Sequence, residues 1–147
     1  MSDTLDSISS TFELKPFLPS DIDEVRSLHD ELFPVSYSDK FYTDLAVGIG
    51  PRNHSVYSLI AVQRGNDTKK VIAGFLFAQF EDMPSCEDGD ILFPHDEKPK
   101  QMMYILTLGV RREYRRSGLG SKLLDVCIER TIRESACGGV ILARLPM

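Results

Sequence analysis

Residues 104–124 read YILTLGVRREYRRSGLGSKLL, a stretch that joins an apolar run, a turn rich in arginine and glycine, and an amphipathic segment. The apolar run, MMYILTLGV at 102–110, is nearly continuous, which predicts a strand buried on both faces. After the turn, apolar residues recur at helical spacing, which predicts a helix packed against a sheet. The apolar stripe consists of Leu119, Leu123, Leu124, Cys127, Ile128 and Ile132.

The glycine turn between this strand and helix predicts an anion-binding site. The N-terminus of a helix presents backbone N–H groups that have no partner in the helix, and it carries the positive end of the helix dipole. Gly118 and Gly120 allow positive φ and a close approach to the backbone, and Ser121 adds a hydroxyl donor. From spacing alone, the alternative is a plain strand-to-helix connection beside a solvated basic cluster. The positive charges here come from Arg115, Arg116 and Lys122.

Two common nucleotide-binding motifs do not fit this turn. The pattern GxxxxGK[ST] is absent, and GxGxxG fails because Leu123 stands three residues after Gly120. The sequence therefore favours neither a nucleoside triphosphate nor NAD. We expect a different phosphate compound.

Composition limits the class of protein. With 147 residues, 42% of them hydrophobic and 27% charged, the chain is typical of one soluble globular domain. Its net charge of -5 argues against nucleic-acid binding. Cys86, Cys127 and Cys137 fit no zinc or disulfide framework, which favours a reducing compartment and no metal. Residues 1–11 are predicted to be disordered, and the apolar run at 71–80 is shorter than the roughly 20 residues that cross a bilayer.

The N-terminal half of the chain predicts a strand followed by two helices. FELKPFL at 12–18 alternates apolar and polar residues, as a strand with one buried face does. SDIDEVRSLHDELF at 20–33 has helical periodicity, with Ser20 predicted to cap the helix by accepting the N–H of Asp23. Pro34 is expected to end this helix.

The middle of the chain predicts a second helix and a β-hairpin. SDKFYTDLAV at 38–47 is a short helix with Ser38 as its N-cap. SVYSLIAVQ at 55–63 and KKVIAGFLFAQFE at 69–81 are rich in β-branched and aromatic residues. RGND at 64–67 lies between them as a turn, so the two segments are expected to pair as a hairpin.

The remaining segments complete the predicted order β, α, α, β, β, β, α, β. Residues 82–100 are acidic, contain three prolines and show no periodicity, which predicts an exposed loop. VILAR at 140–144 is a short final strand.

These motifs resemble the GNAT superfamily of acetyltransferases. RRSGLG fits the pyrophosphate-binding pattern [RQ]xxGx[GA], and YILTLGVRREYRRSGLGSKLL resembles the acetyl-CoA segment of the protein Nα-acetyltransferases. FPVSYSDKFYTDL at 33–45 is similar to the substrate loop and second helix of the NatE catalytic subunit, and EDGDIL at 87–92 is similar to NatF. The resemblance covers residues 12 to about 142. It implies an α/β (α+β) fold, with a mixed central sheet flanked by helices, in a GNAT domain at 12–147.

The resemblance also implies an activity and a set of site residues. The activity is transfer of acetyl from acetyl-CoA to the α-amino group of a protein or nascent chain, plausibly one that starts with Met, without a metal. Leu108, Gly109 and Val110 would pair with the pantetheine arm at a bulge. The backbone N–H groups of Arg116, Ser117, Gly118, Leu119, Gly120 and Ser121 would hold the pyrophosphate. Phe33, Pro34, Val35 and Tyr37 would form the apolar wall for the first substrate side chain. From the residues alone, such a loop is more often a helix stop packed into the core.

Tyr104 is the catalytic residue that the resemblance implies. An α-amine has a pKa of about 8, so a proton must be removed from most molecules at neutral pH. A phenol with its ordinary pKa of about 10 is a weak base, which favours a tyrosine that orients a water molecule. From the residues alone, an interior tyrosine is more often part of the core.

The chain departs from the family near its C-terminus. Ala143 stands where the related enzymes have a histidine, and their further helix and closing hairpin are not found, which suggests a truncated isoform with an incomplete domain. His29, His54 and His95 are expected at the surface. A noncatalytic acetyl-CoA-binding or regulatory module and a lysine or small-molecule acetyltransferase remain the alternatives. The expected location is cytoplasmic, with the cytosolic face of the Golgi for a longer form, or the nucleus, as alternatives; a ribosome-associated complex is a possible partner.

Overall fold

The computed structural model describes residues 11–63, 71–82 and 101–134, which form four strands and three α-helices. The predicted turn at 64–67, the loop from 83 to 100, the strand at 140–144 and residues 1–10 lie outside the described residues. In chain order the elements are β1 (Phe12–Lys15), α1 (Ile22–Leu32), α2 (Asp39–Ala46), β2 (Val56–Gln63), β3 (Ile72–Asp82), β4 (Gln101–Val110) and α3 (Leu119–Glu134).

The four strands form one sheet in the order β1-β2-β3-β4, and every pair is antiparallel. The predicted pairing of 55–63 with 69–81 is confirmed, since Val56 lies opposite Gln79 and Ala61 opposite Gly74. The described elements therefore form an α+β fold. The parallel component of the expected mixed sheet depends on the strand at 140–144.

Alternation along the strands divides the core between the two faces of the sheet. On β3, Leu76 faces α3, whereas Phe75 and Phe77 face α1 and α2. Full burial of one such side chain stabilises the fold by about 1.5–3 kcal/mol. The core below α3 includes Leu59, Leu76, Met103, Ile105, Leu123 and Cys127, and the core below α1 and α2 includes Phe17, Val25, Leu28, Tyr42, Leu45, Ile60, Phe75 and Phe77.

β4 is covered on both faces, as its apolar sequence predicts. Met103 and Ile105 are buried in the core below α3. Gly109 is buried on the opposite face, where it lies against Leu32 of α1 and Phe75 of β3. Thr107 is also buried, and Tyr104, Leu106 and Leu108 are half-buried.

One of the two predicted helix caps is confirmed and the other is wrong. The Ser38 hydroxyl accepts the backbone N–H of Phe41 at 3.2 Å, as expected for the N-cap of α2. Ser20 lies inside a short 3-10 helix that precedes α1, and the N-cap of α1 is Asp21, without a side-chain capping bond. The Asp21 carboxylate instead accepts the N–H of Leu18 at 3.0 Å. Since proline favours the first position of a helix, Pro19 starts the 3-10 turn earlier than the spacing predicts.

Gly109 provides a test of the packing between β4 and α1. We expect Gly109→Ala to destabilise the fold by about 1–3 kcal/mol, because the added Cβ would lie 2.8 Å from Phe75 Cζ and 3.0 Å from Leu32 Cδ1. Gly120→Ala is the matched control, since its Cβ would meet only Val110 Cγ2, at 3.6 Å, and alanine favours a helix over glycine by up to about 1 kcal/mol. Urea unfolding measures both free energies. Equal midpoints for the two variants would contradict this account.

Candidate active site

The glycine turn connects β4 to α3 through a backbone that a serine holds in place. Arg116 and Gly118 have positive φ angles of 66° and 86°. The Ser117 hydroxyl donates to the carbonyl oxygen of Tyr114 at 2.5 Å and accepts the N–H of Leu119 at 3.3 Å. These bonds fix the direction in which α3 leaves the turn.

Both glycines allow positive φ, and in the structure Gly118 adopts it whereas Gly120 does not. Because α3 begins at Leu119, Gly120 lies in the first helical turn and has ordinary helical geometry there. The second left-handed residue is Arg116 instead. No sequence signal marks it, since left-handed arginine is uncommon and composition does not predict it.

Several backbone N–H groups at the start of α3 are available to a ligand. The N–H of Lys122 is the first to bond backward along the helix, to the carbonyl of Gly118 at 2.9 Å. The N–H of Leu119 is taken by the Ser117 hydroxyl. The N–H groups of Gly120 and Ser121 have no acceptor among the residues that the structure describes. They are the donors that an anion at this helix N-terminus would accept from.

The predicted arginines have different positions around the turn. Arg115 and Arg116 are both exposed. The Arg115 Nε donates to the carbonyl of Val110 at 3.2 Å, which ties the turn back to the end of β4. The positive charge of Arg115 is thus held next to the strand, and Arg116 lies in the turn itself.

The edge of β4 that faces away from β3 offers backbone groups at the predicted positions. The N–H of Arg111 donates to the carbonyl of Ala73 at 2.7 Å, in register with the pairing of Val110 with Gly74. Because hydrogen-bonded and non-hydrogen-bonded pairs alternate in an antiparallel ladder, the N–H and C=O of Leu108 and Val110 point away from β3. Within the described residues, no strand lies beyond β4.

The bulge in β4 is not where the resemblance places it. Residues 107–110 pair regularly with β3, and the register shifts between Phe77 and Ala78, opposite Thr107 and Ile105. The extra residue is Leu106, whose half-buried side chain packs against the core below α1 and α2. Gly109 pairs with Phe75 within the regular part of the ladder.

The end of α1 lies beside the end of β4. The Arg111 Nη1 is 3.7 Å from Glu31 Oε2, and the Arg111 Nε donates to the carbonyl of Ile72 at 3.2 Å. Leu32, the last residue of α1, contacts the backbone at Gly109. The loop that begins after Leu32 therefore leaves α1 next to the strand edge and close to the start of the glycine turn.

This loop carries the predicted acceptor wall, and most of it is exposed. Phe33 is half-buried, with its ring centroid 6.4 Å from that of Phe75. Pro34 is exposed, and the exposed fractions of Val35 and Tyr37 are 55% and 38%. The interpretation as a helix stop packed into the core applies to Phe33 alone. Val35 and Tyr37 present an apolar surface to solvent.

Tyr104 lies on the same face of the sheet as this wall. Its neighbours Met103 and Ile105 belong to the core below α3, so alternation directs Tyr104 to the face that carries α1 and α2. It is half-buried and pairs with Gln79 of β3. Tyr104 and Val110 are six positions apart, which corresponds to about 20 Å along the strand.

His29 is buried, so the expectation that the histidines lie at the surface is wrong for this residue. Its exposed fraction is 2%, whereas His54 is half-buried and His95 lies outside the described residues. A signal for its burial is present in the sequence. His29 is four residues after Val25 and four before Phe33, on the apolar stripe of α1.

The described residues contain neither a cluster of metal-ligating side chains nor a helix that could span a membrane. No group of three or more His, Cys, Asp or Glu residues is placed to hold a metal ion within residues 11–63, 71–82 and 101–134. Cys127 is a free buried thiol, and its burial raises its pKa to about 11. None of the helices in the described part of the chain has the length and apolar composition needed to cross a bilayer.

The chain matches the acetyltransferase (GNAT) family over residues 22–145 and belongs to that family. It is similar to N-alpha-acetyltransferase 60 of Danio rerio, with 34% identity over 137 residues that cover 90% of this chain and 52% of the relative. It is 29% identical to histone acetyltransferase MCC1 of Arabidopsis thaliana over 145 residues, which cover 97% of this chain and 57% of that protein. The chain thus spans about half the length of the curated relatives it matches.

Solved structures of one relative are similar to the described fold. NAA60 of Arabidopsis thaliana in complex with a bisubstrate analogue superposes with a TM-score of 0.73 and 27% identity, covering 86% of this chain and 70% of that one. The same protein in complex with acetyl-CoA has a TM-score of 0.65 and 25% identity, covering 82% and 69%. The family and the GNAT fold predicted from the sequence are confirmed.

Proposed function

We propose that this chain transfers the acetyl group of acetyl-CoA to the N-terminal α-amino group of proteins, with a preference for chains that start with Met. The observation that carries the proposal is the junction at Arg111 and Leu32, where the edge of β4 meets the start of the apolar wall. A donor extended along the edge of β4 from the glycine turn toward Tyr104 would meet an acceptor side chain held by the wall on the face of the sheet that carries α1 and α2. The names of the N-alpha-acetyltransferase 60 relatives support the same activity.

The residues at the turn and the strand edge fit acetyl-CoA. The free N–H groups of Gly120 and Ser121 suit a diphosphate at the start of α3. The outward N–H and C=O of Leu108 suit the amide groups of an extended pantetheine arm, as a strand would. The likeness to a relative solved with acetyl-CoA supports this assignment.

The chemistry assigns separate roles to the wall and to Tyr104. Acetyl-CoA supplies an acetyl group activated as a thioester. The acceptor nitrogen forms an amide bond with the acetyl carbon as the carbon–sulfur bond breaks, and the sulfur takes up the proton that the nitrogen loses. Phe33, Val35 and Tyr37 bind the first side chain of the acceptor. Tyr104, on the same face, orients a water molecule that receives the proton of the ammonium group before attack.

A second candidate function is acetylation of lysine side chains. It is favoured by the similarity to a protein named histone acetyltransferase. A third, noncatalytic acetyl-CoA binding, is favoured by Ala143 at the position where the family has a histidine.

We further propose that the protein acts in the cytoplasm on protein or nascent-chain N-termini, for which the free thiol of Cys127 is the supporting feature.

Acetyl transfer from labelled acetyl-CoA distinguishes these functions. The acceptors are peptides that start with Met-Leu, Met-Lys and Ser, together with a lysine-containing peptide whose N-terminus is blocked. We expect incorporation into the Met-starting peptides and none into the blocked one. Ala143→His is assayed in parallel. Binding of acetyl-CoA without transfer by either form would support the noncatalytic function, and labelling of the blocked peptide would support lysine acetylation.

A further inference from the structure

His29 lies in the last turn of α1, surrounded by aromatic rings from the wall and from the core. The centroid of its ring is 4.9 Å from that of Phe33 and 5.1 Å from that of Tyr37. On the side toward the core, the centroid of the His29 ring is 5.7 Å from that of Phe75 of β3 and 6.2 Å from that of Tyr42 of α2. His29 thus lies between the proposed acceptor wall and the buried core.

Two further contacts among the described residues involve the loop that carries the wall. Tyr37 stacks on Phe41 of α2, with ring centroids 4.2 Å apart. The hydroxyl of Ser36 donates to the carboxylate of Asp30 at 3.1 Å. His29 contacts both Phe33 and Tyr37 from below, and buried Phe75 also contacts Phe33.

An imidazole at this position carries a polar atom that packing does not require. The Nδ1 of His29 is buried and has no hydrogen-bond partner among the described residues, and the same is true of the Tyr42 hydroxyl. Burial of a polar group without a partner costs about 1–3 kcal/mol. Packing alone therefore does not account for an imidazole at this position.

We infer that His29 is a positioning residue for the acceptor: the neutral imidazole holds Phe33 and Tyr37 in the arrangement that binds the first side chain, and protonation of His29 loosens this arrangement. The inference rests on the proposed function, since it assigns a purpose to the same wall. It adds a dependence of acceptor binding on pH that is separate from the titration of the acceptor amine.

The sign of this dependence follows from the surroundings of His29. Burial lowers the pKa of His29 below its ordinary value of 6.5, and the neighbouring carboxylate of Asp30 opposes this shift. Two titratable groups face His29 from other segments, Tyr37 from the wall and Tyr42 from α2. Burial and, to a lesser extent, the charge of Asp30 raise the pKa of Tyr42 to about 12, so Tyr42 stays neutral in this experiment. Phe75, from β3, is uncharged. A lowered pKa means that the packed arrangement favours neutral His29, so the wall is fully held above pH 6.5 and loosens as the pH falls below it.

The test uses a ligand that has no titrating amine. Binding of an Nα-acetylated peptide that starts with Met-Leu is measured at pH 7.5 and pH 5.5 by calorimetry. We expect the affinity of the unmodified chain to fall about fivefold or more at the lower pH, in the range of typical coupling between sites. His29→Gln should bind weakly at both pH values. At pH 7.5 it should raise KM for the acceptor by a similar factor, with little change in kcat or in KM for acetyl-CoA.

The matched control is His54→Gln, which makes the same chemical change at a half-buried histidine outside α1. It should keep the pH dependence of the unmodified chain.

His29→Phe is the second variant, because it preserves the packing of an aromatic ring if His29→Gln does not fold. It should bind the acetylated peptide equally well at pH 7.5 and pH 5.5.

Hydrogen exchange of the backbone amides at 33–38 provides a readout that does not require catalysis. We expect faster exchange at pH 5.5 than the intrinsic pH dependence of exchange explains, and loss of this excess in His29→Phe. If the unmodified chain acetylates peptides but His29→Phe leaves both the exchange and the pH dependence of binding unchanged, the inference is wrong. If the excess exchange appears but no peptide is acetylated or bound, the proposed function fails, and with it the acceptor role of His29.

Discussion

Replacement of Ser121 by glutamate is expected to reduce the affinity for acetyl-CoA about 10- to 100-fold while the fold is retained. Ser121 is exposed at the third position of α3, where its N–H is free among the described residues. A carboxylate there lies close to the proposed diphosphate, and two unit charges about 5 Å apart repel by roughly 3 kcal/mol at an effective dielectric constant of about 20. A glutamate in the first turn interacts favourably with the helix dipole, so the stability of α3 should not fall.

Ser121→Gln separates charge from size in this experiment. It has nearly the shape of glutamate, and it should bind acetyl-CoA within about threefold of the unmodified chain, since a surface change without charge has a small effect. Calorimetry measures the dissociation constants, and thermal unfolding checks the fold. Equal affinities for the glutamate and glutamine variants would mean that no anion is bound at the start of α3, and the proposed donor site would have to be abandoned.

Tyr104→Phe is expected to lower kcat about 100-fold, the lower end of what a residue in proton transfer contributes. The ring and its packing on the face below α1 and α2 remain, so KM for the acceptor should change little. Removal of the hydroxyl affects only the path by which the ammonium proton leaves. Steady-state kinetics with a Met-Leu peptide between pH 6.5 and pH 9 measures the effect, which should diminish toward high pH, where the amine is already neutral.

Tyr57→Phe is the matched control for this variant. Tyr57 is a half-buried tyrosine on β2 that packs against the core below α3, with Arg130 5.9 Å from the centre of its ring. It is on the opposite face from the wall, so loss of its hydroxyl should leave kcat within about twofold. Similar losses in the two variants would indicate a general effect on the sheet and would remove the assignment of Tyr104.

The strands and helices could be predicted because their signals are local. Each of three patterns predicts the type of its own element without reference to the rest of the chain. These are the period-2 alternation in β1, the apolar run in β4 and the helical stripe of α3. The errors arose where two local signals compete. Pro19 and Ser20 both favour a helix start, and the outcome depends on the carboxylate of Asp21 reaching back to Leu18.

The candidate site was predictable only in part, because some of its properties depend on contacts between distant segments. The motif RRSGLG identifies the turn, but the position of the bulge depends on how β4 pairs with β3, a strand distant in the sequence. The burial of His29 was readable from the stripe of α1. Its contact with Tyr37 depends on the course of a loop that leaves the helix after Leu32, which no local pattern specifies.

The four strands that the structure describes follow the order of the chain, and each lies beside the one before it. During synthesis on the ribosome, β1 to β3 can therefore assemble as they emerge, and β4 adds to an existing template. The glycine turn comes after all four strands, so a chain that has not yet placed β4 has no anchor for a nucleotide. Addition of coenzyme A during refolding should consequently shift the equilibrium toward the finished sheet without accelerating its first steps.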